Sequence, residues 1–264
     1  MHDFFDYQCR EETAVSMPLI GDLAPEFTAE TTNGPVNFPD DYKGKWVILF
    51  SHPSDFTPVC TSEFMTFQSM LEEFRAMNTE IIGLSIGSLT SHIAWMREIQ
   101  NKIEFRSWSN LEIQFPVIDD TKMTVAKKYG MLHPNASDTK TVRAVFIIDP
   151  SGIVRTILYY PQSAGRNFTE IKRLVAALQT SDVFGVSTPA DWLPGEDVII
   201  GAPRTAAGAK ERLASKDKSL TVKDWFMTFK KLSAQEVFDK IFVKPKALAA
   251  PKKPAKKPAA KKKK

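Results

Sequence analysis

Strand-like and helix-like segments alternate along residues 17–180, and this alternation constrains the fold more than any other feature. Short apolar runs bounded by turn residues predict strands, and apolar residues spaced three and four apart predict helices. The strands are predicted at 46–50, 80–86, 115–118, 142–148 and 153–159, and the helices at 92–99, at 168–178 and directly after Thr57. Such alternation is typical of an α/β fold in which helices cover both faces of a sheet.

One of these strand-to-helix junctions carries a cysteine. The run 46–50 gives way to the segment Pro-Ser-Asp-Phe-Thr-Pro-Val-Cys, which ends at Cys60. Thr57 suits the cap of the following helix, and Pro58 suits its first position, where a backbone N–H is not needed. Cys60 is then predicted in the first turn, where unpaired N–H groups and the helix dipole favour a nucleophilic thiolate. The alternative from these residues alone is a buried cysteine without chemistry.

The residues after Cys60 predict an amphipathic helix. Its buried face is formed by apolar side chains at helical spacing, namely Phe64, Phe67, Met70, Leu71 and Phe74. Glu63 follows Cys60 by three residues, so its carboxylate is predicted on the same side of the first turn.

Composition limits the class of protein and its location. The chain has 264 residues, of which 43% are hydrophobic and 25% are charged, as expected for a soluble protein with one large domain or two modest ones. Its two cysteines form no Cys-x-x-Cys or Cys/His cluster, so neither a disulfide framework nor a metal site is predicted, and no cofactor is indicated. The first residues lack a signal peptide's apolar core and no run could span a membrane, so we expect a reducing cytoplasm.

Two segments at the carboxyl end differ from the rest. Residues 185–243 are apolar for their length, notably at Trp192 and at 225–229, and must pack on the first domain or on a partner subunit.

Residues 244–264 contain ten lysines and no acids, whereas the whole chain has a formal charge of only +4. This lysine-rich tail is predicted to be disordered, and it could bind a polyanion without sequence specificity and in a salt-sensitive way. A solvated tail that aids solubility is the alternative.

Several separated motifs, taken in order, resemble the peroxiredoxins. Residues 50–63, Phe-Ser-His-Pro-Ser-Asp-Phe-Thr-Pro-Val-Cys-Thr-Ser-Glu, contain Pro-x-x-x-Thr-x-x-Cys, which is similar to that family's peroxidatic motif. The Ser-His-Pro start and the Thr-Pro-Val-Cys-Thr core resemble the one-cysteine, peroxiredoxin 6-type subfamily in particular. Further similar segments lie at 17–27, 91–95, 115–120, 143–150, 165–168 and 188–192.

The resemblance covers about residues 17 to 243 and implies a domain organisation. It implies a thioredoxin-like peroxidase domain at 17–180, with a smaller carboxy-terminal extension domain at 185–243 that reaches across a homodimer; assembly beyond the dimer stays open. Residues 1–16 would be an extension before the domain, and 244–264 the lysine-rich tail.

The resemblance also implies roles for four residues in the reaction. Cys60 would attack the terminal oxygen of a peroxide and become a sulfenic acid. Thr57 would hydrogen-bond the peroxide, Pro53 would shield the thiolate from water, and Arg143 would hold the thiolate and stabilise charge as the O–O bond lengthens.

Supporting roles are implied for three further residues. His52 would contact the sulfenic acid, and Glu63 and Arg166 would orient Arg143 or the loop. An arginine or histidine outside the reaction, solvated or at an interface, is the alternative for these positions.

The cysteine count predicts how the enzyme would be recycled. No cysteine follows Cys60, and the only other one is Cys9. We therefore predict a one-cysteine mechanism with an external thiol reductant, either glutathione or a thioredoxin- or glutaredoxin-like protein, whereas a disulfide between Cys9 and Cys60 is the alternative. Two other functions stay open, a redox-sensing chaperone and a polyanion-binding protein that uses the tail.

Overall fold

A computed structural model describes residues 17–137 and 139–242. The predictions for residues 1–16, which include Cys9, and for the lysine-rich tail lie outside the described residues. The strands, in chain order, are β1 (Phe27–Thr31), β2 (Gly34–Phe38), β3 (Trp46–Ser51), β4 (Thr79–Ser85), β5 (Val117–Asp119), β6 (Arg143–Ile148), β7 (Val154–Tyr160), β8 (Val198–Ile200), β9 (Leu220–Asp224) and β10 (Met227–Lys230). The α-helices are α1 (Pro58–Ser69), α2 (Leu71–Ala76), α3 (Leu89–Lys102), α4 (Thr124–Lys128), α5 (Phe168–Phe184), α6 (Ala206–Leu213) and α7 (Ala234–Ile241).

The first seven strands form one mixed sheet in the order β2-β1-β5-β4-β3-β6-β7. Strand β3 runs parallel to β4 on one side and antiparallel to β6 on the other. Consequently the end of β3 lies beside the start of β6, with Phe50 paired to Val145. Residues that follow β3 and residues that begin β6 are thereby brought to one edge of the sheet.

Strand β3 is buried on both faces, which explains why it is apolar throughout. Trp46, Ile48 and Phe50 belong to a core that also contains apolar residues of α1, α2, α3 and α5. Val47 and Leu49 point to the opposite face, where the core includes residues of α4. The α/β class and the covering of both sheet faces by helices are therefore confirmed.

The predicted helix after Cys60 differs from the observed structure in one respect, because it is broken at Met70. Met70 has φ −105° and ψ 2°, and it separates α1 from α2. Before the break, the Thr66 hydroxyl donates to the Ser62 carbonyl at 2.7 Å, and the Ser69 hydroxyl donates to the Thr66 carbonyl at 2.8 Å. Hydroxyl groups that bond back to helix carbonyls compete with the backbone and bend helices.

Two other helices are longer than predicted because of their caps. The Ser88 side chain accepts the backbone N–H of Ser91, so α3 begins at Leu89 rather than at His92. Helix α5 continues to Phe184 and ends at Gly185, whose φ of 63° is the left-handed conformation that commonly terminates helices.

The carboxy-terminal region packs within the chain. Strands β8, β10 and β9 form a small antiparallel sheet, and α7 lies against α5. Trp192, Val198 and Val237 are fully buried in the same core as residues of α5. Three consecutive residues around the turn between β9 and β10 stay exposed, namely Trp225, Phe226 and Met227.

Candidate active site

Cys60 lies in the first turn of α1, directly beyond the end of the central strand β3. Pro58 occupies the first helical position, as predicted, so the missing N–H of proline removes no helical hydrogen bond. The cysteine is free and completely buried. It is therefore held among the unpaired N–H groups of a helix N-terminus and away from bulk water.

Thr57 stands at the predicted cap position, but its side chain does not cap the helix. Its backbone has the extended conformation expected of a cap, with φ −112° and ψ 145°. The hydroxyl instead donates to the Ser54 carbonyl at 2.9 Å, back across the loop that contains the buried Pro53. The hydroxyl thus ties the loop to the helix start and leaves the first N–H groups of α1 without a side-chain partner from Thr57.

Arg143 reaches the cysteine from the first residue of β6. Its Nη1 lies 3.4 Å from the Cys60 Sγ and 2.6 Å from Glu63 Oε2. Its Nε and Nη2 donate to the Gln162 carbonyl at 3.0 and 2.8 Å. The guanidinium is buried and fixed on three sides, so its charge is aimed at the sulfur before any substrate is bound.

Glu63 joins Arg143 to a second buried arginine, Arg166. Its Oε1 accepts the backbone N–H and the Nε–H of Arg166 at 2.9 and 3.0 Å, and its Oε2 accepts Arg166 Nη2 at 2.7 Å. Arg166 Nη1 donates in addition to the carbonyls of Ser51 and Ala144, both at 3.0 Å. The carboxylate therefore accepts four hydrogen bonds, one from Arg143 and three from Arg166, and positions both guanidinium groups.

The charges of this cluster leave a net positive charge beside Cys60. Burial alone would raise the pKa of Glu63, but Arg166 and then Arg143 outweigh it and hold that pKa below its usual value. Two guanidinium charges then face one carboxylate, which leaves one positive charge uncompensated in a buried site. The 3.4 Å contact between Arg143 Nη1 and the Cys60 Sγ places this positive charge next to the sulfur.

Comparison with known proteins decides the family. A family model described as the AhpC/TSA family matches residues 20–157, and one described as the C-terminal domain of 1-Cys peroxiredoxin matches residues 177–216. A curated peroxiredoxin of Methanosarcina mazei is 65% identical over 215 residues, which cover 81% of this chain and 98% of the relative. The chain belongs to the peroxiredoxins. A second relative, from Aquifex aeolicus, is 50% identical over 83% of this chain and 99% of its own length.

Solved peroxiredoxin structures agree with this assignment. A yeast mitochondrial 1-Cys peroxiredoxin is 36% identical with a TM-score of 0.69, over 82% of this chain and 100% of that one. A cysteine-to-serine mutant of the peroxiredoxin 6 of Arenicola marina is 29% identical with a TM-score of 0.68, over 81% of this chain and 97% of that one. The thioredoxin-like fold and the one-cysteine type implied by the sequence are confirmed. Peroxiredoxins are thiol peroxidases, that is, oxidoreductases that act on peroxides.

His52, the remaining predicted site residue, is fully buried in this peroxiredoxin and contacts a group that the sequence reasoning missed. Its ring lies 4.8 Å from the ring of Phe64, one turn beyond Cys60, and its Nε2 is 2.9 Å from Asp55 Oδ1. Asp55 also contacts the buried His92, which lies 37 residues further along the chain. All three residues lie in segments that resemble the family, 50–63 and 91–95, but only the His-x-x-Asp spacing at 52–55 indicates a contact, and nothing local predicts the contact with His92.

The described helices of this peroxiredoxin are too short or too polar to cross a bilayer. Among the described residues, none combines the length and the apolar character that a membrane span requires.

Proposed function

We propose that this peroxiredoxin reduces hydrogen peroxide and organic hydroperoxides by a one-cysteine mechanism, with Cys60 as the peroxidatic residue. The Cys60 thiolate attacks the terminal peroxide oxygen, so that an S–O bond forms and the O–O bond breaks. The leaving hydroxide or alkoxide takes a proton from solvent, and Cys60 becomes a sulfenic acid. The observation that carries the proposal is the 3.4 Å contact between Arg143 Nη1 and the Cys60 Sγ.

Three residues around Cys60 have direct roles in this proposal. Arg143 holds the thiolate and stabilises charge on the peroxide oxygens as their bond lengthens, which is the kind of preorganised interaction that dominates catalysis. Thr57 turns its hydroxyl from the Ser54 carbonyl to the peroxide when substrate binds. Pro53, buried in the loop before the helix, keeps water from the sulfur.

Glu63, Arg166 and His52 support the reaction without being consumed in it. Glu63 and Arg166 fix the position of Arg143, a role supported by the four hydrogen bonds that the Glu63 carboxylate accepts. His52 accepts a hydrogen bond from the sulfenic acid, a role supported by the burial of its ring against Phe64.

The surface beside the site supports a substrate range that includes organic hydroperoxides. A groove of about 520 Å³ runs along the start of α1 and is bordered by Thr57 and Pro58. Its walls include the apolar side chains of Ile99, Ile103 and Phe105. Apolar walls with a few polar groups suit the alkyl part of a hydroperoxide, whereas hydrogen peroxide gains nothing from them.

An external thiol completes the cycle in this proposal. The thiol attacks the sulfenic sulfur, water leaves, and a second thiol releases Cys60 from the mixed disulfide. Glutathione or a thioredoxin- or glutaredoxin-like protein would serve, and the yeast mitochondrial relative resolves its thiol via glutathione/thioredoxin systems. Dependence on such reductants supports a reducing cytoplasm as the place of action.

A single-turnover oxidation tests the mechanism. The full-length protein is mixed with one equivalent of hydrogen peroxide at low protein concentration without reductant, and intact mass and peptide mapping follow. We expect one oxygen on Cys60, none in Cys60→Ser, and an unchanged result in the matched control Cys9→Ser. A disulfide between Cys9 and Cys60 would make Cys9 the resolving residue, and an unmodified Cys60 would refute the peroxidatic assignment. A change of assembly on oxidation with almost no turnover would favour the redox-sensing chaperone instead.

We propose in addition that the protein is a homodimer formed through its carboxy-terminal region. Trp225, Phe226 and Met227 are 38, 54 and 45% exposed, and three adjacent apolar side chains are an unusual feature for a surface turn. Sedimentation of the reduced protein should give a dimer, and Phe226→Ser should weaken it. A wild-type monomer at micromolar concentration would contradict the proposal.

We also propose that the lysine-rich tail adds weak, sequence-independent binding of polyanions. Its ten lysines without an acid favour such binding, because each neutralised phosphate releases a counterion. Duplex DNA should retain the full-length protein at low salt and release it at high salt. Deletion of residues 244–264 should abolish retention without changing peroxidase activity, and retention by the truncated protein would refute the assignment to the tail.

A further inference from the structure

A buried cluster of two histidines and one aspartate lies beside the site described above. His92 Nδ1 is 2.8 Å from Asp55 Oδ2, and His92 Nε2 is 3.1 Å from the Ile118 carbonyl. His52 Nε2 is 2.9 Å from Asp55 Oδ1. The Ser91 hydroxyl donates to Asp55 Oδ2 at 2.6 Å. Both imidazole rings are completely buried, so every proton in the cluster has to be explained by these contacts.

The contacts of His92 require a proton on each of its ring nitrogens. The Ile118 carbonyl can only accept, so His92 Nε2 must donate to it. Burial alone would raise the pKa of Asp55, but hydrogen bonds from His52 and His92 outweigh it and hold that pKa well below its usual value, so the carboxylate is ionised. An ionised carboxylate also only accepts, so His92 Nδ1 must carry a proton too. Both ring nitrogens of His92 therefore donate, Nδ1 to the Asp55 carboxylate and Nε2 to the Ile118 carbonyl.

The same reasoning assigns a single proton to His52. Its Nε2 donates to the Asp55 carboxylate, whereas its Nδ1 is buried and has no hydrogen-bond partner among the described residues. Burial lowers the pKa of His52, opposed by Asp55, and the charges of His92 and Arg166 lower it further. His52 is thus neutral, with an unprotonated Nδ1.

A metal ion is a poor explanation of the cluster. Two ligands at about 2.0 Å from a tetrahedral zinc ion lie roughly 3.3 Å apart. The observed nitrogen-to-oxygen contacts of 2.8 and 2.9 Å are shorter, and they match charge-assisted hydrogen bonds. The carboxylate and the two rings are therefore joined by protons.

We propose that Asp55 and His92 are positioning residues of the peroxidase reaction, which hold His52 in the tautomer whose Nδ1 accepts a hydrogen bond from the Cys60 sulfenic acid. The inference rests on the proposed function, since the sulfenic acid is its intermediate. A buried nitrogen without a partner is unfavourable, and the fold tolerates it because the oxidised cysteine supplies the missing donor. No atom of Asp55 or His92 takes part in the chemical step.

Nitrogen NMR of the full-length protein with ¹⁵N-labelled histidine tests the proposal. The chain has four histidines, so His2→Gln and His133→Gln identify the two buried rings. In the reduced wild type at pH 7 we expect one ring protonated on both nitrogens and one protonated on Nε2 alone. After one equivalent of hydrogen peroxide, the His52 Nδ1 signal should shift as it accepts a hydrogen bond.

Two variants separate positioning from general structure. Asp55→Ala removes the acceptor of the His52 Nε2–H, so it should give His52 a mixture of tautomers and abolish the oxidation-linked shift. The control is Asp119→Ala, because Asp119 accepts the Leu89 N–H at the start of α3 and makes no hydrogen bond to either ring. This control should keep the wild-type tautomer.

Several results would overturn the proposal. If Asp55→Ala fails to fold, the spectrum of the wild-type protein alone decides it. The results that would overturn it are a proton on His52 Nδ1 in the reduced protein, tautomers that Asp55→Ala leaves unchanged, and rings that carry bound zinc in place of protons. Absence of the shift in protein whose Cys60 is oxidised by mass would also overturn it. If Cys60 is not oxidised at all, the proposed function is wrong. The spectrum of the reduced protein then still tests whether Asp55 and His92 fix the tautomer of His52.

Discussion

Replacement of Glu63 by glutamine should destabilise the protein strongly, and the hydrogen-bond geometry gives the magnitude. Oε1 accepts two bonds from Arg166, and Oε2 accepts one from Arg143 and one from Arg166. Glutamine has one oxygen and one NH₂ group. In either orientation, two of the N–H groups that the carboxylate accepted would face the NH₂ group, which cannot accept a hydrogen bond from them. Each lost bond to a charged group is worth about 1.5–3 kcal/mol.

Contacts that both arginines keep in the variant make the loss of stability smaller than the sum for the lost hydrogen bonds. Arg143 keeps the Gln162 carbonyl, and Arg166 keeps the carbonyls of Ser51 and Ala144. We therefore expect Glu63→Gln to lower the free energy of unfolding by about 3–5 kcal/mol, the range for a buried ion pair that loses one partner. We also expect Cys60 oxidation to slow by about tenfold or more, equivalent to roughly 1.4 kcal/mol, because Arg143 is held less firmly.

Urea unfolding at pH 7 and stopped-flow oxidation measure the two effects. The matched control is Glu73→Gln, because Glu73 makes a similar 2.7 Å ion pair with Lys172 on the surface. Exposed pairs contribute about 0–1 kcal/mol, so this control should change little. A Glu63→Gln protein that loses no more stability than the control would refute the reasoning, because the carboxylate would then not be needed between the arginines.

Three further predictions test other contacts of the site. Gly87→Ala would place a methyl carbon 2.7 Å from His92 Cε1, so thermal unfolding should show a loss of about 1–3 kcal/mol, whereas Gly201→Ala, which meets no atom within 4 Å, should stay within about 0.5 kcal/mol. Thr57→Val removes the hydroxyl but keeps the shape, so single-turnover oxidation should slow by about tenfold, or roughly 1.4 kcal/mol, and serine should restore it. The pKa of Glu63 is lower in the folded than in the unfolded protein, so its stabilisation is complete above about pH 5 and is lost as pH falls below about 4; constant stability down to about pH 3 would contradict this sign.

The sequence predicts local features well because they depend on neighbouring residues. The apolar run of β3, the proline at the first position of α1 and the strand-turn-strand pattern of β6 and β7 are all local signals. The break at Met70 has no such signal, because no proline or glycine marks it. The hydroxyl groups of Thr66 and Ser69 compete for carbonyls there, an effect that depends on rotamers rather than on residue type.

The candidate site is predictable where a family motif supplies it and unpredictable where only three-dimensional contacts do. Cys60 and Thr57 lie in the quoted motif, and their placement follows from the helix start. The histidine cluster depends on a contact between Asp55 and His92 across 37 residues, which no spacing rule encodes. The short His-x-x-Asp spacing could have indicated half of it, the contact between His52 and Asp55.

The contacts of the arginine cluster determine when, during folding, a positive charge comes next to Cys60. Arg143 lies 83 residues from Cys60, and Arg166 lies 103 residues from Glu63 and 115 from Ser51. The positive charge beside the sulfur therefore exists only once β3, β6 and the start of α5 have come together. Under the proposed mechanism, Arg143 can therefore assist the attack of Cys60 on peroxide only in a finished molecule, and not in a nascent or partly folded chain.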